Sequence, residues 1–105
     1  MVYNVDKVDW QSEKDQLQQI RERVFVYELH IPKNIEFDSL DALAQHILVT
    51  DNMHAPVAKG RLCNDGLIGR IAVLPQHRNR NVYKSLLNFI VKLAAEQGIE
   101  AISIN

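Results

Sequence analysis

The order of apolar and polar runs along the chain predicts a mixed α/β (α+β) fold: strand, helix, antiparallel meander, helix, strand. Three features carry that prediction. Apolar residues recur at helical spacing through Leu17, Ile20, Val24 and Tyr27, with Phe25 and Leu29 offset by one. Asn64-Asp65-Gly66 separates two strand-like runs, and Asp-Gly supplies the positive φ angles of a tight hairpin turn. A second amphipathic run, Asn81 to Gln97, ends at Gly98, and the strand-like Ile99 to Asn105 that follows must cross over to lie parallel to its neighbour.

In chain order, Val2 to Val5 forms a short first strand. Ser12 with Asp15 resembles a capping box and predicts the start of a helix that runs to about Leu29 and is stopped by Pro32. Asn34 to Ala44 is acidic, with Glu36, Asp38 and Asp41, and reads as loop plus a helical turn. His46 to Thr50 is a strand; Asp51-Asn52 opens a turn that Pro56 closes. Val57 to Cys63 and Leu67 to Leu74 pair across the Asp65-Gly66 turn, which as a two-residue loop sets Arg61 opposite Arg70. In the second helix Val82, Leu86, Phe89, Ile90, Leu93 and Ala94 share one side.

Composition narrows the function classes. The 105 residues fit a single domain, residues 1–105, and 47% hydrophobic with 24% charged residues is ordinary for a globular protein. A net charge of −1 gives no bulk electrostatic reason to bind nucleic acid or membrane. No apolar run is long enough to span a bilayer, and the residues after Met1 lack the apolar stretch of a signal peptide. The single cysteine, Cys63, excludes an intrachain disulfide and suits a reducing compartment, so the expected location is cytoplasmic. His30, His54 and His77 are not at metal-ligand spacing, and no metal is expected.

The basic residues are concentrated: Arg70, His77, Arg78, Arg80 and Lys84 lie close together. A strand that feeds a basic loop and a helix N-terminus builds an anion site, because loop amides and first-turn N–H groups lack partners and the helix dipole favours negative charge. Arg78 and Arg80 add fixed charge suited to phosphate oxygens; a solvated basic loop is the alternative.

The run Val73-Leu74-Pro75, Arg78 to Tyr83 and Leu86-Leu87 resembles the acetyl-CoA signature of the GNAT acetyltransferases. Arg78 takes the first signature position, while Asn79, Asn81 and Tyr83 stand where glycine or small residues are usual. Ile20 to Glu28, then Ile31-Pro32, Asp38 and His46-Ile47, resembles a GNAT subgroup with an R-x-x-V-F-V-x-E-Q helix. Gly60-Arg61 and Arg70 to Val73 fit that subgroup's third and fourth strands. The resemblance implies a GNAT-like mixed sheet, β-α-(α)-β-β-β-α-β. The usual C-terminal helix and strand pair have no counterpart here.

It further implies acetyl-CoA as co-substrate and transfer of acetyl to a small-molecule or peptide amine by direct attack. Ile71 and Val73 fall where the family's fourth strand bonds pantetheine. The amides of Arg78, Asn79, Arg80, Asn81, Val82 and Tyr83 fall where it meets the pyrophosphate. Glu28, at the end of the first helix, either orients or deprotonates the amine, or is an exposed carboxylate or an arginine's partner. Arg61 and Arg70, as like charges held opposite each other, require something acidic nearby, either in a structural ion-pair cluster or as a bound substrate. The competing function is a degenerate, catalytically inactive GNAT fold that serves as a ligand-binding or protein-interaction module; Asn81 and Tyr83 favour it. An uncovered edge on the last strand predicts a homodimer.

Overall fold

A computed structural model describes residues 3–31 and 39–104. Val2, Pro32, Asn34, Glu36, Asp38 and Asn105, named above, lie outside the described residues. Strand β1 is Asn4–Val8, helix α1 Trp10–Arg21, and a π-helical turn spans Glu22–Glu28. After a 3-10 turn at Ser39–Ala42 come β2 (Gln45–Thr50), β3 (Pro56–Leu62) and β4 (Leu67–Val73). A 3-10 turn at Pro75–His77 leads into α2 (Arg80–Glu96), and β5 is Ser103–Ile104. The strands form one sheet in the order β1-β2-β3-β4-β5, antiparallel except for the β4–β5 pair. The predicted fold class and element order are those observed.

The sheet is covered on both faces. On one, Val82, Leu86, Ile90 and Ala94 of α2 pack on Ile47, Val49, Leu62, Ile68 and Val73. On the other, Leu17, Ile20 and Val24 pack on Leu48, Ala72 and Leu74. Gly60 permits the close approach of α2: a Cβ there would stand 2.9 Å from Ile90 Cδ1. The Gly98 amide bonds Ala95 O and the Ile99 amide bonds Ala94 O, the paired bonds that close a helix on a left-handed residue.

Several boundaries differ from the sequence reading. Helix α1 starts at Trp10, because Asp9 is the N-cap: its Oδ2 accepts from the Ser12 amide at 3.1 Å and from the Ser12 hydroxyl at 3.3 Å. Ser12 is therefore inside the helix and not its cap. The helical run continues to Glu28 as expected, but its last seven residues are π-wound. Val24, Phe25, Val26 and Tyr27 are β-branched or aromatic and crowd the preceding turn of an α-helix, which a wider winding relieves. β5 is two residues long, beside Leu67 and Ile68, because Ile99 packs on the α2-side core instead of joining the sheet.

The hairpin is the largest correction. Its loop is three residues: Cys63 N bonds Leu67 O, Gly66 N bonds Cys63 O, and Gly66 sits at φ +92°. Arg61 therefore pairs with Gly69, not with Arg70. The pairing then shifts by one, so that Lys59 faces Ala72, and Arg70 is the extra residue of a β-bulge at φ +49°. The bulge lets Ile68, Ile71 and Val73 all meet the α2-side core, which a regular strand would forbid for Ile68 and Ile71.

Candidate functional site

The candidate site lies where β4 leaves the sheet and α2 begins. Past Ile68, the outer edge of β4 has no strand pairing among the described residues. Leu74 N bonds Val57 O, keeping the strand end against β3, and the Pro75–His77 turn is closed by His77 N on Leu74 O at 2.9 Å. Tyr3, which no sequence signal singled out, ties this turn to the start of the chain. Its hydroxyl lies 3.0 Å from His77 Nδ1, the two rings are edge to face, and Asn79 Nδ2 donates to the same oxygen at 3.4 Å.

Asn79 is the N-cap of α2, its Oδ1 accepting from Val82 N at 3.1 Å. The Tyr83 amide bonds Asn79 O. The Arg78 and Asn79 amides bond Pro75 O and His77 O. Of the six amides from Arg78 to Tyr83, those of Arg80 and Asn81 are first-turn donors outside the helix's own ladder. Arg80 and Asn81 are exposed. Tyr83 is 39% exposed.

Arg78 is the most constrained side chain of the loop. Its Nε donates to Val73 O at 3.0 Å, and its two terminal nitrogens donate to the two carboxylate oxygens of Glu28, each at 2.6 Å. The Arg78 hydrogen bonds hold the Glu28 carboxyl below the usual carboxylate range. Glu28 is thus an arginine's partner, one of the two readings its sequence position allowed, and the arginine is Arg78.

Arg61 belongs to a different cluster, on the α1 side. Arg61 and Arg21 each donate to Asp41 Oδ1, at 3.0 and 2.7 Å, and all three side chains are buried. Burial acts to raise the Asp41 pKa, but the two guanidiniums hold it below its ordinary value. His46 lies over Trp10, ring centroids 4.6 Å apart, with Nε2 2.7 Å from Asp41 O. Burial, then the charge of Lys59, push the imidazole down to about 4, and Nδ1 has no hydrogen-bond partner among the described residues. Asp41 supplies the acid expected beside Arg61. Arg70 is not opposite Arg61; it is half-buried at the bulge. Ile71 packs on the α2-side core and Val73 is buried, so what either presents to a ligand is its backbone. Among the described residues no group of three or more His, Cys, Asp or Glu side chains is placed to hold a metal, and no helix is long and apolar enough to cross a membrane.

Comparison with known proteins places the chain in a family. The family model described as "Acetyltransferase (GNAT) family" matches residues 14–105. The uncharacterized N-acetyltransferase YjcF of Bacillus subtilis is 36% identical over 89 residues, covering 82% of this chain; the match spans 63% of the length of YjcF. The crystal structure of an acyl-CoA N-acyltransferase from Pseudomonas aeruginosa superposes with a TM-score of 0.83 at 22% identity, over 94% of this chain and 75% of that one. A predicted acetyltransferase of Clostridium acetobutylicum, solved with acetyl-CoA, superposes with a TM-score of 0.73 at 18% identity, over 99% and 80% of the two chains. The fold is thus shared with solved acyltransferases, and the chain belongs to the GNAT acetyltransferase family.

Proposed function

We propose that the protein transfers an acetyl group from acetyl-CoA to the amine of a small molecule or peptide by direct attack. The observation that carries this reading is the continuity from the bulged strand β4, through the Pro75–His77 turn, to the basic N-terminus of α2. The backbone of Ile71 and Val73 would hold the pantetheine; Val73 O already accepts from Arg78 Nε and keeps a second lone pair. The Arg80 and Asn81 amides, with the Arg78 and Arg80 guanidiniums, fit a pyrophosphate at a helix N-terminus. Acetyl-CoA supplies the thioester carbon as electrophile, and the coenzyme A thiol leaves as the amine nitrogen takes the acetyl group. Glu28, bonded to Arg78 at this corner, is the carboxylate that would orient the amine or accept its proton.

The test is to incubate the full chain with acetyl-CoA and a panel of primary amines, following thiol release and acetylated product. Direct attack gives intersecting initial-velocity lines and no acetylated protein by intact mass. Parallel lines with an acetyl-enzyme would overturn it. A second reading, a binding module without turnover, has its own support: Asn81 and Tyr83 stand where the family has small residues. Binding of acetyl-CoA with no acetylated product from any amine selects it. Ile102 and Ile104, exposed beside and within β5, favour a homodimer paired along that edge, and light scattering at high concentration checks it. The buried free thiol of Cys63 suits a reducing, cytoplasmic setting.

A further inference from the structure

We propose that Glu28 is an internal stand-in for phosphate on Arg78, displaced when a phosphate-bearing ligand binds, so that its carboxylate faces an amine only after that ligand is seated. This rests on the acetyl-CoA reading for the identity of the phosphate, but the displacement itself follows from the geometry of the pair.

The bond pattern is the first argument. Two guanidinium nitrogens meet two carboxylate oxygens at 2.6 Å each, the fork an arginine also presents to a phosphate. The asymmetry of the anchoring is the second. Arg78 is fixed from behind by Nε on Val73 O, whereas Arg78 is the hydrogen-bond partner given to Glu28 among the described residues. The arginine can stay while the carboxylate leaves. Accessibility is the third: the two side chains retain 34% and 35% exposure, so a ligand reaches the pair from solvent and the pair contributes little to the fold.

The position of Glu28 adds to this. It is the last residue of the π-helical turn, where the helix dipole disfavours a carboxylate. Local helix energetics therefore do not explain an acid there; the guanidinium it contacts does. At the very next residue, Asn79 Oδ1 accepts from the Val82 amide. Two donors suited to an anion are thus each filled by the chain's own oxygen atoms. An incoming phosphate exchanges one acceptor for another on Arg78 and creates no unsatisfied donor.

The consequence is an order of events. With Glu28 on Arg78, the carboxylate is committed and held ionised by its partner. Once phosphate takes the guanidinium, Glu28 loses that hydrogen bond and becomes a proton acceptor of ordinary strength at the end of the first helical segment. Coenzyme binding then precedes productive amine binding.

The experiment titrates inorganic pyrophosphate and, separately, coenzyme A into the full chain by calorimetry. Four proteins are compared: wild type, Glu28→Gln, Arg78→Gln and the double variant, each checked for folding by circular dichroism. Glu28→Gln is expected to tighten both ligands by roughly two- to fivefold, the size of an exposed charge-pair coupling. Arg78→Gln is expected to weaken both, and Glu28→Gln is expected to add nothing in that background. In the wild-type protein, the Glu28 side-chain carboxyl carbon should shift toward a solvated value as pyrophosphate saturates.

Binding with unchanged or weakened affinity in Glu28→Gln, or a Glu28 resonance that does not move, overturns the displacement. If coenzyme A binds the wild type under that outcome, the acetyl-CoA reading survives alone. If pyrophosphate binds more tightly to Glu28→Gln while coenzyme A does not bind, the displacement survives and the acetyl-CoA reading falls. No binding of either ligand to any variant overturns both.

Discussion

A histidine and an aspartate carry the sharpest consequences at the level of single residues. His46 is buried, stacked on Trp10, and its pKa is depressed from 6.5 to about 4. The unfolded chain therefore binds a proton there between those values while the folded chain does not, and stability rises with pH across that window. Stability should be full above pH 6.5 and fall between pH 6.5 and 4, by about 3 kcal/mol at most. A melting series across that range checks this, and His46→Gln should flatten it. The carboxyls of Glu28 and Asp41 are shifted down, so their contributions fade only at more acid pH. Asp41→Asn should destabilise by about 3 kcal/mol in urea, since Arg21 and Arg61 lose the buried carboxylate they share. The acid beside Arg61 was legible from the sequence, although through a faulty premise: the like-charge pair that demanded it does not exist, because Arg61 faces Gly69. The Glu28–Arg78 pair was not legible as a pair. Its members are 50 residues apart, and no periodicity links the end of one helix to the loop before another.

Among the elements, β4 shows both what periodicity reveals and where it stops. Both helices, the meander and the parallel last strand follow from apolar spacing and turn chemistry, and they stand where those signals put them to within a few residues. The bulge was missed, yet its signal was present. Ile68 and Ile71 are three residues apart, and a regular strand puts such a pair on opposite faces; burying both on one face requires an extra residue between them. The π winding of Glu22–Glu28 was not legible, because α and π turns bury nearly the same stripe. At the hairpin tip, Gly66 is required twice over: by its φ of +92° and by the Ala101 carbonyl that a Cβ would strike. Gly66→Ala should destabilise by at least about 1 kcal/mol from the backbone conformation alone, with more from the clash, measurable by denaturant titration.

For the whole molecule, a ligand that binds the native state must raise the melting temperature in proportion to the logarithm of its concentration above Kd. Acetyl-CoA should do so, by an increment equivalent to about 2.7 kcal/mol at one hundred times Kd. The absence of a shift at millimolar concentration would remove acetyl-CoA from the site and with it both the enzyme and the binding-module readings. The melting series also separates ligand-linked stability from that supplied by the two cores, which lie on opposite faces of one sheet.

The parallel register of β5 has a kinetic corollary. Strands β1 to β4 join neighbours in sequence order, with helix α1 between the first two, whereas β5 returns across all of α2 to find Leu67 and Ile68. Its amide at Ser103 bonds Gly66 O, so this closure waits for both the hairpin tip and the helix. Ser103 is exposed and its strand is two residues long, which makes this the last rung to form and the first to open. Deuterium should therefore replace the Ser103 amide proton well before those of Val49 and Ala58 at the centre of the sheet.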